Sequence, residues 1–372
     1  MRSIGIILAG GVSKNLGVLT RERAAAAMPV GGCYRAIDFS LSNMSNSGVS
    51  KVAIITQYNS RSLHNHLSSA KWWNFGYKHG RLFIFSPYIS EGNQFWYRGT
   101  ADAIYQNLLF LKKSHEKNVI ISHGDIIFKI NFNTVIDFHE KNNANITLIY
   151  KKKINNDSFN LCDFGLLEID ENNRLVNFDE KPLDPKSDNI FAGIYIFSRD
   201  MLIEILETIL SQNRYDLISD IIIRYRKKLK IMAYEIKSYW NVLNNIESFY
   251  RVNFDFLNKN IRDEFLHTYP YIETKPKDDP PAKYNFNAKT KNSIVGSGSI
   301  LNGYTENSIL FNKVYIGELT SVKNSIIMDK CQIGNNCVVE NAILDKSVVL
   351  SDNKKIQGSQ IDLAVVSKHS IF

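Results

Sequence analysis

Ile4-Gly5-Ile6-Ile7-Leu8-Ala9-Gly10-Gly11 reads as a buried strand running into a glycine turn. The chain continues as Val12-Ser13-Lys14-Asn15-Leu16-Gly17-Val18-Leu19-Thr20-Arg21-Glu22-Arg23-Ala24-Ala25-Ala26-Ala27-Met28-Pro29. A strand that delivers glycines to its carboxyl end points backbone N–H groups at phosphate oxygens, and nearby cations neutralise the charge that builds during transfer. Here four alanines, Ala24 to Ala27, stand where a cation would be most useful. The stretch has the form of a phosphate cradle whose charged parts are missing.

Outward from this strand, β-rich runs at Val52–Ile55, Val119–Ser122, Ile146–Tyr150 and Ile190–Phe197 alternate with helix-like segments at Ala101–Ser114, Thr134–Asn142 and Met201–Ser211. Such alternation predicts an open, mostly parallel sheet with helices on both faces. Ligands of such folds sit beyond the carboxyl ends of the strands, where the turn after Leu8 lies. Trp72-Trp73 with Phe75 and Tyr77 reads as a packed surface. The i, i+2 spacing of His64 and His66 is wrong for a metal site on one helix face.

The pattern changes after residue 262. The stretch from His267-Thr268-Tyr269-Pro270 to Asp278-Asp279-Pro280-Pro281 is rich in proline and charge, which predicts a linker over 263–288. Beyond it Asn292-Ser293-Ile294 recurs as Asn307-Ser308-Ile309, Asn324-Ser325-Ile326 and, altered, Asn341-Ala342-Ile343. Aliphatics fall six apart at Ile294/Ile300, Ile316/Val322, Ile327/Ile333/Val339 and Ile343/Val349. A six-residue period of inward aliphatics predicts a parallel β-helix over 289–372, whose coils must stack to bury their apolar faces. The organisation expected is therefore an α/β domain over 1–262, a linker, and a hexapeptide β-helix.

The totals fit this plan. A chain of 372 residues with 44% hydrophobic and 22% charged residues suits a globular two-domain protein. No apolar run is long enough to span a bilayer and no signal-like segment opens the chain, so a cytoplasmic location is expected. The net charge of +8 is dispersed, and its densest cluster, Arg224 to Lys230, reads as a solvated helix end. Neither nucleic acid nor membrane is expected as a partner. Cys33, Cys162, Cys331 and Cys337 show no zinc-ligand spacing and read as reduced thiols.

Leu8-Ala9-Gly10-Gly11, Leu19-Thr20 with Arg23, and the run from Gly31-Gly32-Cys33-Tyr34-Arg35 to Asn46-Ser47-Gly48 resemble bacterial glucose-1-phosphate adenylyltransferases. So do Thr56-Gln57-Tyr58, Gly99-Thr100-Ala101-Asp102-Ala103, Gly124-Asp125, Phe164-Gly165 and Glu180-Lys181-Pro182. The resemblance spans both domains in order. It is closest to the GlgD-type, non-catalytic subunit, through Asn46-Ser47-Gly48, Tyr239-Trp240-Asn241-Val242 and the repeat-rich C-terminus. It implies a nucleotidyltransferase domain with a mixed, Rossmann-like sheet of GT-A type, followed by a left-handed parallel β-helix.

The resemblance also implies site residues. Gly10, Gly11, Gln57, Gly99, Thr100 and Asp102 match nucleotide-side positions, while Gly165, Glu180 and Lys181 match the sugar-phosphate side. Asp125 matches one of two aspartates that hold Mg²⁺. Among the departures from the catalytic pattern, three remove a charged group. Asn15 replaces an arginine of the phosphate loop, Ala25 replaces the lysine of an Arg-Ala-Lys-Pro motif, and Asn241 replaces the second metal aspartate. Mg²⁺ needs carboxylates together with substrate phosphates, and Asn241 keeps an oxygen without the charge. The resemblance thus implies a catalytically deficient regulatory subunit with a partly kept sugar-phosphate or nucleotide pocket. Mg²⁺ would serve the active complex and bind this chain weakly or not at all. Its implied partner is a catalytic glucose-1-phosphate adenylyltransferase subunit, in a heterotetramer that supports ADP-glucose synthesis for glycogen. The alternative is a weakly active adenylyltransferase in which Lys14 stands in for the missing arginine. A hexapeptide acyltransferase fits poorly, because no histidine follows His267 until His369.

Overall fold

A computed structural model describes residues 2–76, 80–88, 96–153 and 159–372. Tyr77, part of the expected aromatic surface, lies outside the described residues. Two compact units emerge, and they do not follow a single cut in the sequence. The first comprises Met1–Gly11, Phe39–Ser60 and Leu67–Trp240; the second comprises Val12–Asp38, Arg61–His66 and Asn241–Phe372. The alanine-rich stretch after the glycine turn therefore belongs with the β-helix rather than with the first strand. Sequence order alone hides such an excursion.

The first unit is built on a nine-stranded sheet. Its strands are β1 (Ser3–Leu8), β2 (Lys51–Ile55), β3 (Arg81–Phe85), β4 (Asn118–His123), β5 (Ile146–Lys152), β6 (Gly165–Ile169), β7 (Leu175–Glu180), β8 (Asn189–Ser198) and β9 (Ile231–Glu235). β1 lies between β2 and β4 and runs parallel to both, with β3 parallel beyond β2. The other half departs from the mostly parallel sheet that alternation predicts. β8 runs antiparallel to β4, β5 and β6, and β6 and β7 form an antiparallel hairpin. The sheet is mixed, as the family resemblance implies. Ile4, Ile6, Val119 and Ile121 of the parallel strands join Tyr195 and Phe197 of β8 in one apolar core.

The helix expected at Ala101–Ser114 is two pieces, Thr100–Tyr105 and Leu108–Lys112. Asn107 breaks it, because its side-chain N–H₂ donates to the Ala103 carbonyl at 2.9 Å and to the Tyr97 hydroxyl at 3.0 Å. A side chain that binds its own helix backbone competes with the regular ladder. Trp73 is fully buried, as a packing residue should be.

The second unit carries three five-stranded parallel sheets, consistent with a left-handed parallel β-helix. Ile294, Ile309, Ile326, Ile343 and Val365 stack in register along one of them. The recurring Asn-Ser-Ile explains itself here. Asn292, Asn307, Asn324 and Asn341 turn the corner with φ of 42°, 48°, 45° and 47°. Asparagine tolerates this left-handed conformation. The Asn292 amide donates to Asn307 at 2.9 Å and the Asn307 amide to Asn324 at 2.8 Å. Each serine hydroxyl accepts an N–H from the next coil, Ser293 from Ser308 and Ser308 from Ser325.

The inward face differs from expectation by one residue toward both ends of the stack. Ile316/Val322 and Ile327/Ile333/Val339 point inward as predicted. Leu301, Leu344 and Leu350, with Val295 against them, fill the interior in place of Ile300, Ile343, Val349 and Ile294. Ile300 is 38% exposed. Successive residues of a strand face opposite sides, so choosing the wrong member of an aliphatic pair inverts the assignment. The predicted linker is also shorter than 263–288. Helix Lys259–Leu266 runs into its start, and Lys283–Tyr284 is already a strand of the first coil.

Candidate functional site

In the first unit the carboxyl ends of β1, β2 and β4 converge. The Ala9 N–H donates to the Ile55 carbonyl at 2.8 Å, and the Gly124 N–H to the Leu8 carbonyl at 2.9 Å. Gly10 packs tightly: a Cβ there would lie 3.1 Å from Cβ of Gln57 and 3.2 Å from its backbone nitrogen. Gly11 has open space around it. The Gln57 side-chain oxygen accepts the Tyr97 N–H at 3.1 Å, so it orders the approach to the next loop.

Asp125 follows this edge directly. Its carboxyl accepts its own backbone N–H and has no side-chain hydrogen-bond partner among the described residues. Burial pushes its pKa upward, and the neighbouring His123 imidazole opposes that shift. A desolvated carboxylate without a compensating cation fits a divalent ion completed by water and ligand phosphates. Among the described residues no three His, Cys, Asp or Glu side chains converge as a metal-binding group.

The Gly99-Thr100-Asp102 segment is tied to the loop around Tyr215. A Cβ on Gly99 would lie 2.4 Å from the Tyr215 carbonyl oxygen, which accepts the Ala101 N–H at 2.8 Å. The Thr100 hydroxyl donates to Asp216 at 3.0 Å. Asp102, expected on the nucleotide side, is completely buried. It accepts hydrogen bonds from the Arg98 backbone N–H at 2.8 Å, the Arg98 guanidinium at 3.0 Å and the Gln106 amide at 3.0 Å. Asp102 acts on the site by fixing this loop, and its oxygens are taken by the protein.

On the sugar-phosphate side Gly165 pairs with Glu180 across β6 and β7. A Cβ at Gly165 would sit 2.5 Å from the Phe178 ring. Glu180 is exposed as a residue. Partial desolvation of its carboxyl and the like charge of Asp216 raise its pKa against the pull of Lys181. Lys181 is exposed, with φ of 50°, and its backbone N–H donates to the Phe164 carbonyl at 3.0 Å. Asp216 joins this cluster without any motif that would have singled it out.

The three degenerate positions all lie in the second unit. Asn15 is exposed in the turn Lys14–Thr20, with Lys14 exposed beside it. Ala25 is buried in the short turn Ala25–Ala27. Asn241 is buried, and its side-chain oxygen accepts the Val242 N–H at 2.9 Å.

The second unit also holds a cationic cavity of about 200 Å³, lined by Arg35, His66, Lys275, Lys277, Lys346 and Asp329 among others. Asp329 meets Lys277 at 2.8 Å and Lys346 at 2.7 Å. Burial opposes ionisation of Asp329, yet the two ammonium groups outweigh it and hold the carboxyl well below the usual range. His66, set aside as a metal ligand, contacts the buried Asp38 at 2.6 Å. Asp38 also accepts the Thr274 hydroxyl at 2.6 Å. Sequence reasoning missed this cavity, although the charged run around Lys275-Pro276-Lys277 was its visible edge.

Comparison with known proteins finds relatives for both the α/β part and the hexapeptide part of the chain. A nucleotidyl transferase family model matches residues 4–259, and a GlmU-like C-terminal hexapeptide model matches 280–364. The glucose-1-phosphate adenylyltransferase of Clostridium acetobutylicum is 38% identical over 327 residues, covering 86% of this chain and 84% of its own. Those of Mycoplasma mobile and Thermosipho africanus are 35% and 36% identical, covering 86% of this chain and 84% and 77% of theirs. No helix among the described residues is long and apolar enough to cross a membrane. With its glycine turn, its desolvated Asp125 carboxyl and its hexapeptide coils, this chain belongs to the glucose-1-phosphate adenylyltransferase family of nucleotidyl transferases.

Proposed function

We propose that this chain is a regulatory, catalytically deficient subunit of a glucose-1-phosphate adenylyltransferase of the GlgD type. It would assemble with a catalytic subunit, in a heterotetramer, to support ADP-glucose synthesis from ATP and glucose 1-phosphate. The observation that carries this reading is the loss of charge at Asn15 and Ala25, where the catalytic pattern has an arginine and a lysine. Nucleotidyl transfer depends on positioning and on cations set against developing negative charge. Removing one such donor typically lowers the rate by ~10²–10³. Mg²⁺, when bound, would neutralise phosphate charge. Of the two expected metal positions only Asp125 still carries a carboxylate, so Mg²⁺ would be held weakly.

The retained Glu180 and Lys181 support a sugar-phosphate ligand, and the Lys277/Lys346 cavity supports an anionic effector. Either ligand would act by favouring one state of the assembly, which a partner subunit then reads. A second reading, weak intrinsic activity, draws on exposed Lys14 next to Asn15. The test is pyrophosphate release from ATP and glucose 1-phosphate. The reading expects negligible turnover by this chain alone and stimulation when it is mixed with a catalytic subunit. Robust turnover by the isolated chain would overturn it.

A further inference from the structure

Among the histidines with buried ring nitrogens, one stands apart. His139 uses both of its nitrogens, on Thr147 at 2.8 Å and Ser198 at 3.4 Å, and Nε2 of His66 meets Asp38. His123, the last residue of β4, has a buried Nε2 with no hydrogen-bond partner among the described residues. A buried polar atom left unpaired costs stability, and in native proteins such atoms mark places where a water, an ion or a catalytic partner binds.

The surroundings of His123 favour an ion. Asp125 stands two residues on, with a desolvated carboxyl that no side-chain donor among the described residues serves. Across the sheet Gly193 adopts φ of 74°, and a Cβ there would lie 3.6 Å from Cγ of the imidazole. Its tighter neighbour would be Cδ1 of Ile126 at 2.8 Å, so the glycine answers that packing and borders the imidazole at ordinary contact distance. The Tyr195 ring, 6.3 Å away between centroids, closes another side with an apolar wall.

We propose that His123 and Asp125 form a mixed nitrogen–oxygen half-site for a divalent cation, completed by water or ligand oxygens. This deepens the reading above, since it rests on Asp125 as the surviving metal carboxylate of a nucleotidyl transferase. An imidazole donor suits later transition metals, whereas Mg²⁺ prefers oxygen ligands throughout. The chain thus prefers Co²⁺ or Zn²⁺ to Mg²⁺. A nitrogen donor makes good, in part, the carboxylate that the family's metal pattern has lost here.

The experiment titrates the full-length chain with Co²⁺, following visible absorption and calorimetric heat, and repeats the titration with Mg²⁺. Wild type is expected to bind Co²⁺ more tightly than Mg²⁺, with a ligand-field change in the Co²⁺ spectrum. His123→Asn and His123→Ser should both lose that spectral change and the preference. Asp125→Asn should lose binding of both ions. Circular dichroism identifies any variant that fails to fold, and the other His123 variant then decides. Unchanged Co²⁺ binding in a folded His123 variant overturns the nitrogen ligand. If Asp125→Asn still abolishes binding in that case, the carboxylate reading survives alone. If neither substitution alters binding, both fall.

Discussion

Arg23 and Asp345 meet as a buried ion pair: Nη2 lies 2.6 Å from Oδ1, with the side chains 4% and 2% exposed. Nη1 of the same guanidinium donates to the Met328 sulfur at 3.4 Å. The arginine of the family's Arg-Ala-Lys-Pro-like motif is therefore turned into the β-helix unit, where its charge is fully committed. This contact joins residues 322 apart in sequence. It explains why the alanine-rich stretch folds with the coils.

Breaking one side of such a pair leaves a buried charge without a partner, which costs about 3–5 kcal/mol. Asp345→Asn should lower the unfolding free energy of this unit by that order in denaturant titration. Replacing both residues with apolar side chains should cost much less. An Asp345→Asn variant as stable as wild type would show that the pair contributes little.

The serine ladder supports a second prediction. The Ser325 hydroxyl donates to the Lys323 carbonyl at 2.6 Å and accepts the Ala342 N–H at 3.2 Å. Ser325→Ala leaves that buried N–H unpaired, at a cost of about 1–3 kcal/mol. Ser293→Ala, at a half-buried position near the start of the stack, should cost less. Equal shifts in thermal midpoint for the two variants would contradict the ladder.

These contacts show what the sequence could and could not reveal. The strand before Gly10 and the repeat after Asn292 were readable because burial and stacking impose short periods. Ile327/Ile333/Val339 follow the predicted inward row. Ile300 and Ile343 do not, because a neighbouring leucine competes for the same inward position. The return of Val12–Asp38 to the β-helix was not readable, since it depends on a long-range ion pair. At the site, motif positions pointed to Asp125 and Glu180 as candidates. They could not reveal that Asp102 is enclosed by Arg98 and Gln106, that Asp216 lies near Glu180, or that Nε2 of His123 has no hydrogen-bond partner among the described residues. Those facts depend on neighbours distant in the chain.

Restoring lost charge separates electrostatics from packing. Asn15 is exposed. Asn15→Arg should therefore change stability by no more than about 0.5 kcal/mol, as surface substitutions usually do. Ala25 is 5% exposed among other buried alanines, and a lysine there must displace its neighbours. Overpacking of that kind typically costs about 1–3 kcal/mol. The double variant Asn15→Arg with Ala25→Lys should therefore be less stable than wild type and still release little pyrophosphate. Turnover at the level of an active relative would show that missing charge alone silences the chain.

His139 supplies a pH dependence whose sign follows from its surroundings. Burial pushes its pKa down from 6.5 to about 4, with the nearby Glu140 opposing. The unfolded chain protonates this group near 6.5, whereas the folded chain resists until about 4. Between those values the unfolded state binds more protons, so stability falls as pH drops. The neutral imidazole's contribution is complete above pH ~6.5 and is lost progressively toward pH ~4. A gap of about 2.5 pH units corresponds to roughly 3 kcal/mol. His139→Gln keeps a hydrogen-bonding side chain for Thr147 without a titrating proton. Unfolding free energies measured from about pH 7 to about pH 4.5 should therefore fall more steeply for wild type than for the variant. Parallel curves would mean that the buried imidazole has found a way to accept its proton, through a solvent path or a shift of Ser198.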